Sequence, residues 1–457
     1  LPYKPLLIPS IGSIFLYFLF GYFLERSDFL NLLLLYTGLF YGAWRIIEFT
    51  KFNFWILALL GITARVLFLP AIPNLSQDFY RFIWDGRLLI LGINPYVFTP
   101  GQLANGSQIA QDLISLDTIP NAKALIQGMG NLNASHYSNY PPINQLCFAL
   151  AALFAKNSIL GSVIGLRILI IGADIGILYF GKKLLERLKM PVKNIFWYFL
   201  NPFIIIELTG NLHFEAVMLF FVIWSLYLLD TKRWVLAAIT LGISISVKLV
   251  PLLFLPLFYK YLVPKGLFGK GFWKMKKFYW VTLATIVLCF APFVSKTFIT
   301  NFSATIGLWF QSFEFNASVY YIIRWIGFQT IGWNIIATVG LILPIVVFIC
   351  VVLLSLFRKY NTTQNLIIGM LLAVSIYFLL ATTVHPWYIA TPLLLCVFTN
   401  YRYAVLWSFM ICFSYSAYRP EGFEENLLLV AIQYSVVICV ALWELLIKKL
   451  PKKGVVI

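Results

Sequence analysis

Asp78, Lys248 and His385 are ionisable groups set among apolar and aromatic residues, and groups so placed can do chemistry. Asp78 falls in Ser76-Gln77-Asp78-Phe79-Tyr80-Arg81, where it can accept a proton or pair with Arg81. Trp84-Asp85-Gly86-Arg87 and Gly92-Ile93-Asn94-Pro95-Tyr96 follow; Asp85 and Arg87 could contact a ligand or form an interfacial ion pair. Tyr140-Pro141-Pro142 precedes an apolar run, and proline's fixed φ suits a helix start. Asn201-Pro202 leads to the polar turn Gly210-Asn211-Leu212-His213-Phe214-Glu215, where His213 and Glu215 could bond each other or meet a ligand. Lys248, in Ser246-Val247-Lys248-Leu249-Val250-Pro251, either snorkels to an interface or waits as a buried cation for a phosphate. His385-Pro386-Trp387-Tyr388 is another polar turn, and Arg419, Glu421, Glu424 and Glu425 make a charged loop. The three histidines (His136, His213, His385) are too scattered for a zinc site, and no metal is expected.

The elements that must position these groups are membrane helices. Hydrophobic residues make up 61% of the 457 and charged residues 11%, which is far from a soluble composition. Apolar runs of ~18 or more residues, long enough to cross a bilayer, recur along the chain. They are continuous rather than alternating, so helices are expected and not a barrel. The net charge of +17 fits Lys and Arg collected in cytoplasmic loops better than a nucleic-acid surface. An anionic lipid substrate would also favour it. The basic loops are 182–193, 232–233, 260–277, 358–359, Arg402 and Lys448, Lys449, Lys452 and Lys453. The loops 71–141, 210–215, 294–332, 384–388 and 418–426 then face the other side.

Spans are expected at 7–24, 29–47, 53–70, 159–180, 194–209, 214–229, 234–249, 250–263, 278–294, 333–357, 364–384, 388–400, 403–417 and 427–447. The fold class is thus an all-α polytopic membrane protein of about 13–14 transmembrane helices, with juxtamembrane helices in its large first outer loop. Residues 142–156 are too short to span and would invert the basic loops, so they are expected on the outer face or part-way in. Arg167 and Asp174 share one helix face and are expected to pair. The six cysteines read as small buried apolar residues. The first apolar segment lacks a small-residue cleavage site and is expected to remain as a span.

This topology gathers the chemistry-bearing residues at one face. A lipid-linked sugar phosphate carries a good leaving group, so one carboxylate suffices to deprotonate an acceptor hydroxyl. Arg, Lys or His can stabilise the departing phosphate.

In these motifs the sequence resembles the C-type (GT-C) glycosyltransferases, most closely polyprenyl- or dolichyl-phosphate-mannose-dependent mannosyltransferases. The residues that carry the resemblance are Ser76-Gln77-Asp78-Phe79-Tyr80, Gly92-Ile93-Asn94-Pro95-Tyr96, Tyr140-Pro141-Pro142, Asn201-Pro202, Gly210-Asn211 and Lys248-Leu249-Val250-Pro251. They are spread over about 71–251, and His385-Pro386-Trp387-Tyr388 resembles bacterial relatives. The family's first acid of an Asp-x-Asp pair is Ser76 here, so metal independence is expected.

The resemblance implies a GT-C-like bundle and an inverting transfer of a sugar, mannose first, from a polyprenyl phosphate to a glycan, glycolipid or glycoprotein hydroxyl outside the cytoplasm. Asp78 is the candidate general base. Tyr80, Arg81, Asp85, Arg87, Asn94, Tyr140, Asn211, His213, Glu215, Lys248, His385 and Tyr388 are candidate substrate contacts. The donor is a substrate, no cofactor is expected, and the partners are membrane lipids. Three parts are expected: a transmembrane hairpin at 1–52, a catalytic module at 53–263 and completing helices at 264–457. The alternative is a lipid-linked glycan transporter, flippase or polymerase without Asp-based transfer. It would need charges along a path across the membrane, and few lie mid-span.

Overall fold

The computed structural model describes residues 4–48, 52–155, 157–264 and 269–447, and the chain over these is almost entirely helical. The basic positions Lys448, Lys449, Lys452 and Lys453, together with Lys265, lie outside the described residues. Among the described residues, seven helices are long and apolar enough to cross a membrane: Leu6–Phe23, Phe29–Glu48, Ile159–Arg187, Phe272–Phe293, Ile336–Phe357, Thr363–Leu380 and Leu427–Ile447. Large apolar side chains on these helices stay exposed, among them Leu341, Ile345, Phe348 and Leu428, as a lipid-facing surface requires.

The other expected spans are shorter or broken. Residues 194–209 split into a tight turn at Val192–Ile195, a helix at Phe196–Phe199 and a π-helical turn at Ile204–Gly210. The break falls at Asn201-Pro202, where the Asn201 side chain accepts from the Phe203 amide at 3.0 Å. A bend of 111° separates that π-turn from Glu215–Asp230. Phe54–Leu67, Pro142–Ala155, Trp234–Val247, Val250–Leu262, Pro386–Val397 and Tyr403–Ala417 are apolar but short. Of the 13–14 spans expected from the sequence, several are thus short or broken, at turns such as Lys248, Asn201-Pro202 and His385-Pro386.

The segment 71–141 carries the helix Asp78–Ile90, a short helix at Pro100–Ala104 opened by a Thr99/Gln102 capping box, and the helix Ala122–Ala134. The stretch 294–332, read from the sequence as an outer loop, contains the helices Lys296–Gln311 and Val319–Thr330. The N-terminal hairpin, Lys4–Phe23 and Phe29–Glu48, is knitted to the bundle. Tyr36 donates to the Ser408 carbonyl at 3.0 Å, and Asn74 to the Phe20 carbonyl at 2.8 Å.

Two further expectations are corrected. Arg167 and Asp174 do not pair. Seven residues is ~10 Å of helix rise, enough for each to reach separate partners. Asp174 takes Arg65 at 2.8 Å and Tyr198 at 3.0 Å, while Arg167 caps the Leu69, Thr209 and Gly210 carbonyls. All six cysteines are free, but only Cys147, Cys396 and Cys412 are buried. Cys439 is exposed, on a helix that also exposes Leu428 and Ile432.

Candidate active site

The polar turns converge on one cavity of about 380 Å³. Its polar wall is built from Asp78, Tyr140, Glu215, Lys248, His385 and Tyr388. Leu249, Val250, Leu253, Phe378 and Ala381 add apolar surface to the lining. Each polar residue sits where a helix starts or breaks, and that is why the sequence delivers it there. Asp78 is the first residue of Asp78–Ile90, Glu215 the first of Glu215–Asp230, and Lys248 is an extended residue ending Trp234–Val247.

Asp78 is half-buried, and among the described residues its carboxylate accepts no side-chain hydrogen bond. Burial raises its pKa above the usual carboxylate range, while Lys248 and Arg26 pull it down and Glu215 raises it. Lys248 is committed to Glu215 by an ion pair of 2.5 Å. In this structure Lys248 is thus not a free cation, and Glu215 pairs with Lys248 rather than with His213, one of the two alternatives the sequence left open. Burial, with Arg26 and Lys248 nearby, pushes His385 down to about 3, so its imidazole is neutral and can donate or accept one proton. The His385 and His213 rings both stack on Trp387, with centroids 4.6 and 3.6 Å away. His213 is buried and does not line the cavity.

The remaining candidates lie behind the wall. Arg81 pairs with Asp85 at 2.8 Å, in place of the Asp78–Arg81 or Asp85–Arg87 pairings. Asp85 also accepts from Ser138 at 2.5 Å and Gln145 at 2.9 Å, and Arg81 donates to the His136 carbonyl at 2.8 Å. This network on Asp85 ties down the segment that ends in Asn139, Tyr140 and Pro141 on the cavity wall. Arg87 binds the Pro120 carbonyl and, at 3.1 Å, the Asn121 side chain. Asn94 accepts from the Tyr96 amide at 3.0 Å, and the Tyr80 ring lies 4.0 Å from that of Phe79. Asn211 accepts from the Leu75 amide at 2.9 Å, holding the backbone three residues before Asp78.

Trp309, Ile306, Thr382 and Thr383 also line the cavity, and the sequence reading did not single them out. The stretch 313–316 is tied to 382–384 by Phe315 amide to Thr382 carbonyl, 3.1 Å, and Val384 amide to Phe315 carbonyl, 2.8 Å. Among the described residues no three His, Cys, Asp or Glu side chains gather as a metal-binding group.

Residues 43–263 match the family model described as alpha-(1->6)-mannopyranosyltransferase, N-terminal domain. That family is of the GT-C mannosyltransferase type, in keeping with the resemblance carried by the motifs. The match takes in Asp78, Tyr140, Glu215 and Lys248, whereas Trp309, His385 and Tyr388 come from beyond it. No curated protein matches the chain.

Proposed function

We propose that this membrane protein is an inverting mannosyltransferase that takes its sugar from a polyprenyl phosphate and works on the extracytoplasmic face. One observation carries the reading: Asp78, a carboxylate with no side-chain partner among the described residues, lines a cavity whose walls combine polar groups with apolar side chains. Such a cavity suits an amphiphile with a phosphosugar head and a prenyl tail. The family match, with mannose transfer in its description, supports the sugar.

In the proposed step Asp78 accepts the proton of the acceptor hydroxyl. The oxygen forms a bond to the anomeric carbon as the bond from that carbon to the phosphate oxygen breaks. Polyprenyl phosphate leaves with the electron pair, and the anomeric configuration inverts. The acceptor is a hydroxyl of a glycan, glycolipid or glycoprotein. His385, neutral and on the cavity wall, can donate a hydrogen bond to the departing phosphate. Lys248 and Arg26 favour the ionised form of Asp78, against burial and Glu215.

A transport path finds less support. Arg65, Arg167 and Asp174 are fully buried and bonded to protein groups, so they offer no chain of free charges across the membrane. The test is transfer from synthetic polyprenyl phosphomannose by the purified protein. Formation of an α-linked product from a β-linked donor supports inversion. No transfer from mannose or other polyprenyl phosphosugars, across a panel of acceptors, sinks the reading.

A further inference from the structure

The cavity's lysine is already neutralised, which raises the question of what meets the charge of a phosphate. Arg26, in the turn of the N-terminal hairpin, is half-buried, and among the described residues no carboxylate lies within ion-pair distance of it. Its guanidinium stacks 3.3 Å from the Tyr418 ring centroid, and its Nε is buried with no hydrogen-bond partner. It lines a second cavity, of about 580 Å³, with Ser27, Asn74, Tyr418 and Arg419. Arg419 is tied to Glu424 at 3.0 Å, so Arg26 is the uncommitted cation of that pair.

A run of aromatic contacts links the two cavities. Tyr418 packs on Phe315 at 6.2 Å, and Phe315 on His385, which lines the first cavity, at 5.4 Å. Asn74, four residues before Asp78, donates to the Phe20 and Leu24 carbonyls and so fastens the hairpin turn to the segment carrying Asp78. Arg26 is also close enough to lower the pKa of Asp78. The hairpin turn precedes the stretch matched to the mannosyltransferase family, so that likeness does not supply this cation.

We infer that Arg26 is a phosphate-binding, specificity-determining residue, contributed to the substrate site by the N-terminal hairpin. A guanidinium held over an aromatic ring, with its Nε unpaired, can offer its donor fork to a phosphate ester. The inference rests on the glycosyltransferase reading for the identity of the substrate. The phosphate belongs either to the prenyl donor or to a phosphorylated acceptor.

The experiment measures binding to the full chain in detergent, with Asp78 intact and with D78N, for R26Q and R26K. The probes are polyprenyl phosphate, an alkyl mannoside and the phosphate ester of that mannoside. R26Q is expected to weaken binding of a phosphate-bearing probe by about ten- to a hundredfold. R26K, which keeps the charge and loses the fork, falls between. A loss on polyprenyl phosphate assigns the donor. A loss on the mannoside phosphate, with the plain mannoside unchanged, assigns the acceptor. Equal binding by wild type and R26Q on both phosphate probes, or no binding of either to the wild type, overturns the inference. Should R26Q fail to fold, R26K binding as tightly as wild type overturns it. Arg26-dependent binding in a protein that transfers no sugar keeps this inference and removes the enzyme reading. Active transfer with binding indifferent to Arg26 does the reverse.

Discussion

Asp174 and Asp78 are both carboxylates in a chain that is mostly hydrocarbon, and their surroundings differ in kind. Asp174 is fully buried, bonded to Arg65 and Tyr198, and Arg65 in turn donates to the Gly61 and Phe199 carbonyls at 3.0 and 2.8 Å. Asp85, two turns along the helix from Asp78, is similarly closed by Arg81, Ser138 and Gln145. Asp78 borders a cavity and, among the described residues, has no side-chain donor. In a low-dielectric setting a satisfied charge holds structure, and an unsatisfied one is available for a ligand or a proton. The presence of a charge in an apolar segment does not tell these apart; its partners do.

The sharpest break of that comparison is Asp78→Asn against Asp174→Asn. General-base catalysis is typically worth ~10²–10⁴-fold, so Asp78→Asn should lower turnover by at least about a hundredfold. Binding of the donor should change little. An active Asp78→Asn with a dead but folded Asp85→Asn would move the base one network deeper. Activity in both would remove the enzyme reading. Asp174→Asn should instead act on stability, because it strands the buried Arg65. Breaking such a pair costs about 3–5 kcal/mol, visible as a lower unfolding temperature in detergent. Little loss of stability there would mean that water or lipid reaches the pair.

The two sets were legible in the sequence to different degrees. Lys248, Glu215 and His385 stood out because each is a charged or titratable group at a turn between apolar runs, and all three line the cavity. Arg81 and Asp85 sit four residues apart on one helix face, the spacing at which side chains meet, whereas Asp85 and Arg87 do not face each other. The Arg65–Asp174 pair joins residues 109 positions apart, and no local pattern encodes that. Trp309 was hidden because 294–332 read as loop. Arg26 was hidden because a turn arginine carries no periodic signal, and its neighbour Tyr418 comes from the far end of the chain.

A smaller effect separates the two regions by pH. Burial raises the Asp78 carboxyl above its usual range, with Lys248 and Arg26 opposing and Glu215 reinforcing. A base must be ionised, so kcat/KM should fall as pH drops through a value above that of an ordinary aspartate. R26Q removes one opposing charge and should move this acid limb to higher pH. The same sign applies to folding. A carboxyl whose folded pKa is raised penalises the fold above that pKa, so Asp78→Asn should leave stability near neutral pH unchanged or raised. Asp174→Asn should lower it. An acid limb at ordinary aspartate values, unmoved by R26Q, would place the base elsewhere.

The smallest expected effect concerns metal, and it tests whether the cavity wall holds one available carboxylate or two. A divalent ion bridging a phosphosugar is usually held by at least one or two protein carboxylates. Two acids line the cavity, Asp78 and Glu215, and Lys248 already neutralises Glu215 at 2.5 Å. Where the related motif has a second acid, this chain has Ser76, whose hydroxyl accepts from the Asp78 amide at 3.3 Å. Ser76 therefore caps the helix start and adds no negative charge. Transfer should survive EDTA with rates within about twofold of untreated protein, as expected where the phosphate is met by protein donors. Ser76→Asp offers the complementary measurement. It adds a second carboxylate beside Asp78, so any activity it retains should become sensitive to EDTA and to added Mn²⁺ or Mg²⁺. If the unaltered protein loses all activity in EDTA and Mn²⁺ or Mg²⁺ restores it, then Glu215 must leave Lys248 when substrate binds. The ion pair would then be a resting arrangement of the cavity, and the division between closed and open carboxylates would have to be redrawn.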